Sequence, residues 1–461
     1  MRVLSVFFLL AGCVVIPLAT SVPTSAVTQV QDEQYGALPE VERVRTLINL
    51  TRSGHPDIAA ELLAHHPLTG PFAANRTLFI DGLILKARGD KPGAAQKFRK
   101  ALADDPTLTM VRAELSQTLY EMGDDDSAKH HLELLMGEAP TAKEARNIKD
   151  FIDAIDARRP FRISAYISLA PSTNINGGSS HDWVTIGGLD SKIDQRKESG
   201  IGIAAGVNAA YTFQLSDDFS AIAAGGLHTR QYEASDNDLL SLSETIEFRR
   251  RLEDGYFGFG ALASQSLSGD LATPSNWSDF DGSMSTWAAG PRLTLFQTLA
   301  PDLAFNGDIT LIRQEYDDQP YRNGWRTTLE GKLSKAFSSA LTGYASGGFE
   351  TYMTSDRPDL DYNAIFGTLG LYKELPYGIS ATAELNLRRE VYQANFNDAV
   401  PEFAKPRRDI ETAATLSLWK RDWSFWGYSP AIEYTYVWHD SNVAFYDYDS
   451  HTVDVRLTKD F

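Results

Sequence analysis

The stretch HTVDVRLTKDF (451–461) alternates along its whole length. Val453, Val455, Leu457 and Phe461 share one parity, and Asp454, Arg456, Thr458 and Asp460 share the other. A period of two is the mark of a β-strand with one apolar and one polar face. A final amphipathic strand ending on an aromatic suits an outer-membrane barrel, whose last strand closes the ring. Soluble sheets alternate too, so this stretch alone leaves both readings open.

The same period begins at Arg158-Arg159-Pro160 and continues to the end of the chain. In PYGISATAELNLRRE, Ile379, Ala381, Ala383, Leu385 and Leu387 face one way, and Ser380, Thr382, Glu384, Asn386 and Arg388 the other. WRTTLEGKLSK sets Trp325, Leu329 and Leu333 against Arg326, Glu330 and Lys332. DLAFNGDITL sets Leu303, Phe305, Ile309 and Leu311 against Asn306, Asp308 and Thr310. A large soluble sandwich would show the same strands, but the turns argue against it. Short turns at 215–219, 252–255, 299–303, 337–340, 375–378 and 420–424 alternate with longer polar loops at 171–198, 232–238, 268–283, 317–323, 354–361, 393–407 and 440–447. Short turns on one rim and long loops on the other predict a fourteen-stranded antiparallel transmembrane β-barrel over 160–461, both ends periplasmic. Trp423, Phe425, Trp426, Tyr428 and Trp438 near strand ends fit interfacial girdles. Closure leaves no strand edge unpaired in lipid, so the final strand is expected to pair with FRISAYISLAP (161–171).

Ahead of the strands, 41–158 is helical in pattern. GDKPGAAQKFRKALADDP (89–106) recurs 34 residues later as GDDDSAKHHLELLMGEAP (123–140). Gly89 matches Gly123, Ala94 matches Ala128, Phe98 matches Leu132, Pro106 matches Pro140, and on the preceding helix Leu85 matches Leu119. This period predicts a tetratricopeptide-like solenoid, in which each unit buries its apolar face on its neighbour. Gly54 and Ala60 suggest a degenerate earlier repeat, and TAKEARNIKDFIDAIDAR (141–158) reads as a capping helix. The fold class expected is therefore α + β and multidomain. MRVLSVFFLLAGCVVIPLATSVPTSA (1–26) reads as a secretory signal peptide cleaved after Ala26, with 27–40 as a linker. Leu10-Ala11-Gly12-Cys13 has the form of a lipoprotein signal and holds the chain's single cysteine, so lipidation stays open beside it.

The formal net charge of −18 argues against a nucleic-acid partner. No nucleotide loop, haem attachment motif or metal-ligand spacing is present, so no cofactor and no enzyme activity are expected. His65-His66 and His130-His131 are adjacent pairs on solvated helix faces. His228 and His439 lie on strands with no nucleophile set beside them by sequence.

SLAPSTNINGGSS (168–180) and SPAIEYTYVWHDSNVAFYDYDSHTVDVRLTKDF (429–461), with Arg407-Arg408-Asp409 opening the twelfth strand, resemble the surface lipoprotein assembly modulator family, often called Slam proteins. Asn174-Ile175-Asn176 is similar to that family's Asn-Ile-Asn motif. Pro430, Tyr436, Ser441-Asn442 and Tyr446 match its penultimate hairpin, and Lys459-x-Phe461 its ending. The resemblance covers nearly the whole mature chain. It implies an outer-membrane translocon of the type XI secretion route, with the helical domain in the periplasm. The partners the resemblance implies are a client lipoprotein or a secreted haem- or metal-binding protein. Apart from it, the final alternating strand with Val453, Val455, Leu457 and Phe461 looks like the signal read by the barrel assembly machinery, and periplasmic chaperones and outer-membrane lipid are further expected partners. A diffusion porin and a barrel-anchored scaffold are the rival readings.

Overall fold

The computed structural model describes residues 32–139, 141–233, 237–269, 284–420, 423 and 428–458. Pro140, Phe461 and the whole signal segment lie outside these residues. Two compact units divide the chain near Arg158.

In the first unit a helical turn at 32–36 is followed by seven helices. These are α1 (Glu40–Arg52), α2 (Pro56–His65), α3 (Ala73–Ala87), α4 (Lys91–Asp104), α5 (Thr109–Met122), α6 (Asp125–Met136) and α7 (Ala142–Arg158). The 34-residue period is visible atom by atom. Gly89 and Gly123 end their helices with φ of 90° and 83°, the left-handed region where a Cβ is costly. The next residue of each repeat, Asp90 or Asp124, caps the following helix by accepting from Gly93 N (3.0 Å) or Ser127 N (3.4 Å). Ala94 and Ala128, then Phe98 and Leu132, are fully buried in one core. Gly82 lets α3 approach α4 closely, because a Cβ there would stand 2.4 Å from the Phe98 ring. In the earlier repeat the fully buried alanine is Ala59, while Ala60 is only partly buried. Ala59 follows Gly54 by the same five residues that separate Gly89 from Ala94, so the expected Ala60 was one position off.

The second unit is a closed antiparallel barrel of fourteen strands: β1 (Phe161–Ser172), then β4 (Gly200–Ser216) through β16 (Tyr448–Thr458) in sequential order, with β16 returning to β1. The remaining pair, β2 (Trp183–Ile186) and β3 (Leu189–Lys192), forms a hairpin inside the first long loop. The barrel strands used below are β5 (Phe219–Tyr232), β6 (Asp238–Leu252), β11 (Leu341–Thr354), β13 (Ile379–Asn395), β14 (Pro406–Lys420) and β15 (Ser429–Ser441). The hairpin was not expected from the loop's polar composition. Its signal is the Gly187-Gly188 pair, with φ of 60° and 79°, which makes a two-residue turn between short alternating runs.

Parity sorts the barrel surface. Leu329, Leu333, Ile365, Leu369, Leu385, Leu387, Leu416, Ile432, Val455 and Leu457 are all exposed on the outer face. So wide an apolar band is untenable in water and is satisfied by a bilayer. Among the described residues no helix is long and apolar enough to cross a membrane, so the strands do the spanning. Many charged residues, such as Glu247, Asp308, Glu350, Arg388 and Glu390, take the opposite parity and line the lumen.

The closing seam and its loop cap as candidate functional site

Strand β1 meets its two neighbours unequally. Toward β4 the register runs unbroken from Phe161–Tyr211 to Ser172–Gly200. Toward β16 it runs from Tyr166–Thr458 to Leu169–Val455, skips Ala170 and Pro171, and resumes at Ser172–Thr452. Pro171 has no N–H to give, which is why proline is confined to weakly paired positions in sheets. Val453, Val455 and Leu457 face outward, as the terminal alternation predicted. On the lumen side Ser168 Oγ donates to Asp454 (2.8 Å) across the seam.

Above this ladder the first loop is clamped onto the last hairpin. The Asn174 side chain, almost fully buried, donates to Gly178 O (2.9 Å) and accepts from Gly178 N (3.0 Å). Ile175 N donates to Glu198 O (2.7 Å), and its side chain packs over Gly200. Asn176 donates to Arg196 O (2.8 Å) and accepts from Glu198 N (3.2 Å). The following glycine is required by contact: a Cβ on Gly178 would lie 2.3 Å from Arg196 O. So folded, the loop reaches across the seam. Ser179 Oγ donates to Ala444 O (2.7 Å), Ser180 N to Asp447 O (2.9 Å), and Lys197 pairs with Asp449 (2.9 Å). Val184 and Ile193 from the loop 1 hairpin bury against Phe403 and Val443 from the two last long loops. Asn174→Ala should free this clamp at a cost of about 1–3 kcal/mol, since two buried backbone groups lose their partner. Limited proteolysis of loop 1 on intact cells checks it; unchanged protection would deny the clamp its role.

The β14–β15 end carries the second group of motif residues. Asn442 holds the backbone around Arg408, accepting from Arg408 N (2.8 Å) and donating from Nδ2 to Pro406 O (3.0 Å). Ser441 Oγ donates to the buried Asp409 (2.7 Å). Asp409 also faces the Arg407 guanidinium at 2.9 Å, whose Cζ stands 3.8 Å from the Tyr392 ring centroid and 3.9 Å from that of Tyr446. Tyr436 points outward against His451 (ring centroids 4.6 Å), and Pro430 stands opposite Leu457 near the other end of the seam.

A polar chain continues along the lumen wall. Arg388 donates to Glu350 (2.6 Å) and Glu390 (2.6 Å), Tyr362 donates to Glu350 (2.8 Å), and Tyr392 to Glu390 (3.0 Å). Arg407 donates to the Tyr392 hydroxyl, which joins this chain to Asp409. Among the described residues no cluster of His, Cys, Asp or Glu is placed to hold a metal ion. Tyr392, Ser179 and Asp447 were not singled out from sequence, because nothing local distinguishes them from other lumen or loop residues. Of the repeat residues, Ala94, Phe98, Ala128 and Leu132 lie in the helical core, while Gly89 and Gly123 are exposed at the turns; the Pro106 carbonyl accepts from Arg112 (2.5 Å).

The chain also matches known proteins. The family model for the surface lipoprotein assembly modifier matches residues 161–461. Surface lipoprotein assembly modifier 1 of Haemophilus influenzae is 24% identical over 404 residues, covering 86% of this chain and 79% of that protein. The hemophilin secretion modulator of Acinetobacter baumannii is 22% identical, covering 84% of this chain and 79% of its own length. Surface lipoprotein assembly modifier 1 of Neisseria meningitidis is 22% identical, covering 83% and 75%. With its closed fourteen-stranded barrel, its lipid-facing apolar band and this match over the whole barrel, the chain is an outer-membrane protein and belongs to the surface lipoprotein assembly modifier family.

Proposed function

We propose that this protein is a translocon of the type XI kind, delivering particular clients from the periplasm to the cell surface or the medium. Its clients would be surface lipoproteins or soluble haem- or metal-binding proteins. One relative is named for surface lipoprotein assembly and another for secretion of hemophilin, and both support that range. In this reading the helical region is periplasmic and docks client or chaperone. The long loops face outward, and the residues of the final strand serve the assembly machinery.

The observation that carries the route is the uneven closure of the barrel: a β1–β16 ladder interrupted at Ala170-Pro171, with a loop clamp above it. Such a seam would open at lower cost than the unbroken β1–β4 and β15–β16 ladders beside it and let a client leave sideways. With no nucleotide loop in the sequence, client folding outside the cell or handover from other machinery would supply the drive.

Ile167 and Leu457 stand directly opposite each other on the outer face, so Ile167→Cys with Leu457→Cys should bridge the seam. The oxidised pair is expected to stop delivery, with reductant restoring it. Undiminished delivery by a fully crosslinked barrel would remove the lateral route. A comparison of surface, medium and periplasm between wild-type and deletion strains tests the function itself. Clients should vanish from the surface and accumulate in the periplasm; an unchanged surface with altered solute uptake would instead mean a channel.

A further inference from the structure

Arg408 is the motif residue that the seam and the lumen leave unused. Its neighbours Arg407 and Asp409 face inward, so Arg408 points to the lipid side, where it is exposed. Arg389 does the same on β13, two residues beyond the exposed Leu387 on that face. The register pairs Arg389 with Ile410 and Val391 with Arg408. The two arginines are therefore diagonal neighbours, with backbones about 7–8 Å apart. Neither guanidinium has an ion-pair or hydrogen-bond partner among the described residues. Asn442 fixes the backbone beneath Arg408 through its amide at 2.8 Å, so the side chain departs from a rigid point.

Their height matters as much as their spacing. On β13 the outer face is apolar from Ile379 to Leu387, a rise of roughly 20 Å along tilted strands. Exposed Trp438, opposite Thr412, marks the interface at the long-loop end of the same face. Arg389 and Arg408 begin just past it, at headgroup level. Exposed Asp440, opposite Ile410, bounds the patch on the β15 side and leaves the anion position toward β13. In a chain of net charge −18, two unpaired arginines side by side at this depth are a selective attraction for anions.

We propose that Arg389 and Arg408 form a binding site for a phosphorylated glycolipid headgroup of the outer leaflet, each guanidinium engaging phosphate oxygens while Trp438 and Leu387 contact the acyl region below. Arginine suits this task because its planar fork matches phosphate in bidentate fashion. The proposal rests on the outward orientation of the long loops, but not on any client. A bound lipid here would anchor the β13–β15 wall.

The test uses the full chain purified in detergent, with binding read by native mass spectrometry. The probes are lipid A carrying both phosphates, the same glycolipid stripped of phosphate, and phosphatidylglycerol. Bisphosphorylated lipid A should bind wild type best, and R389Q with R408Q should weaken it about thirtyfold, near fivefold for each guanidinium. R250Q, an exposed arginine at the short-turn end of β6, should change nothing. Equal binding of the phosphate-free glycolipid, equal binding of phosphatidylglycerol, or an equal loss in R250Q would each overturn the site. Because both residues are exposed, the variants should keep wild-type heat-modifiable migration. Client delivery is scored separately, so failure of the translocon reading would leave the lipid result standing.

Discussion

Phe98→Ala should destabilise the helical region by about 3–5 kcal/mol, the usual cost of emptying a buried aromatic site. Phe98 is fully buried, touches Phe79 at a ring-centroid distance of 6.1 Å, and closes against the bare backbone of Gly82. A helix crossing that tight relaxes poorly around a void, which places the cost toward the upper end. Thermal denaturation of the full-length protein, followed by helical circular dichroism, reads the effect separately from the barrel. Loss of helix should come at lower temperature while the β signal persists. A shift no larger than that of an exposed control such as Met110→Ala would show that the repeat is not held by this core.

The second large effect is expected at Arg407. Arg407→Ala removes a cation stacked between two tyrosines and leaves the Asp409 carboxylate buried, with Ser441 donating to it, His439 at 4.0 Å and Glu390 opposite it on β13. Stranding one member of a buried pair typically costs about 3–5 kcal/mol. The double change Arg407→Met with Asp409→Leu should recover most of that, because desolvating both charges is itself expensive. Heat-modifiable migration of the barrel in detergent measures both. If the single and double variants lost the same stability, the pair would matter through packing of Tyr392 and Tyr446, not through charge.

Strand parity was legible from the residues alone. Leu385 and Leu387 lie on the lipid face, Glu384 and Arg388 on the lumen face, because alternate Cβ atoms leave a strand on opposite sides whatever surrounds it. Likewise the Gly89 and Gly123 turns, with their Asp90 and Asp124 caps, are local chemistry that repeats in space because it repeats in sequence. The β2–β3 hairpin was less legible, since a four-residue strand carries little periodic signal and only Gly187-Gly188 announces it. Ala59 was missed for Ala60 because a helix face shifts by about 100° per residue and a single degenerate repeat does not fix its phase.

The candidate site was legible as two separate motifs and not as one place. Nothing in Asn174-Ile175-Asn176 says that its loop ends on the carbonyls of Ala444 and Asp447, and nothing in Arg407 says that two tyrosines enclose it. By itself the sequence determined the alternation, the turn chemistry and the helical repeat, all set by forces acting within a few residues. Only the tertiary structure decided which residues stand opposite one another. Closing the ring brings Ser168 to Asp454, 286 positions away, and that register depends on every hairpin between them.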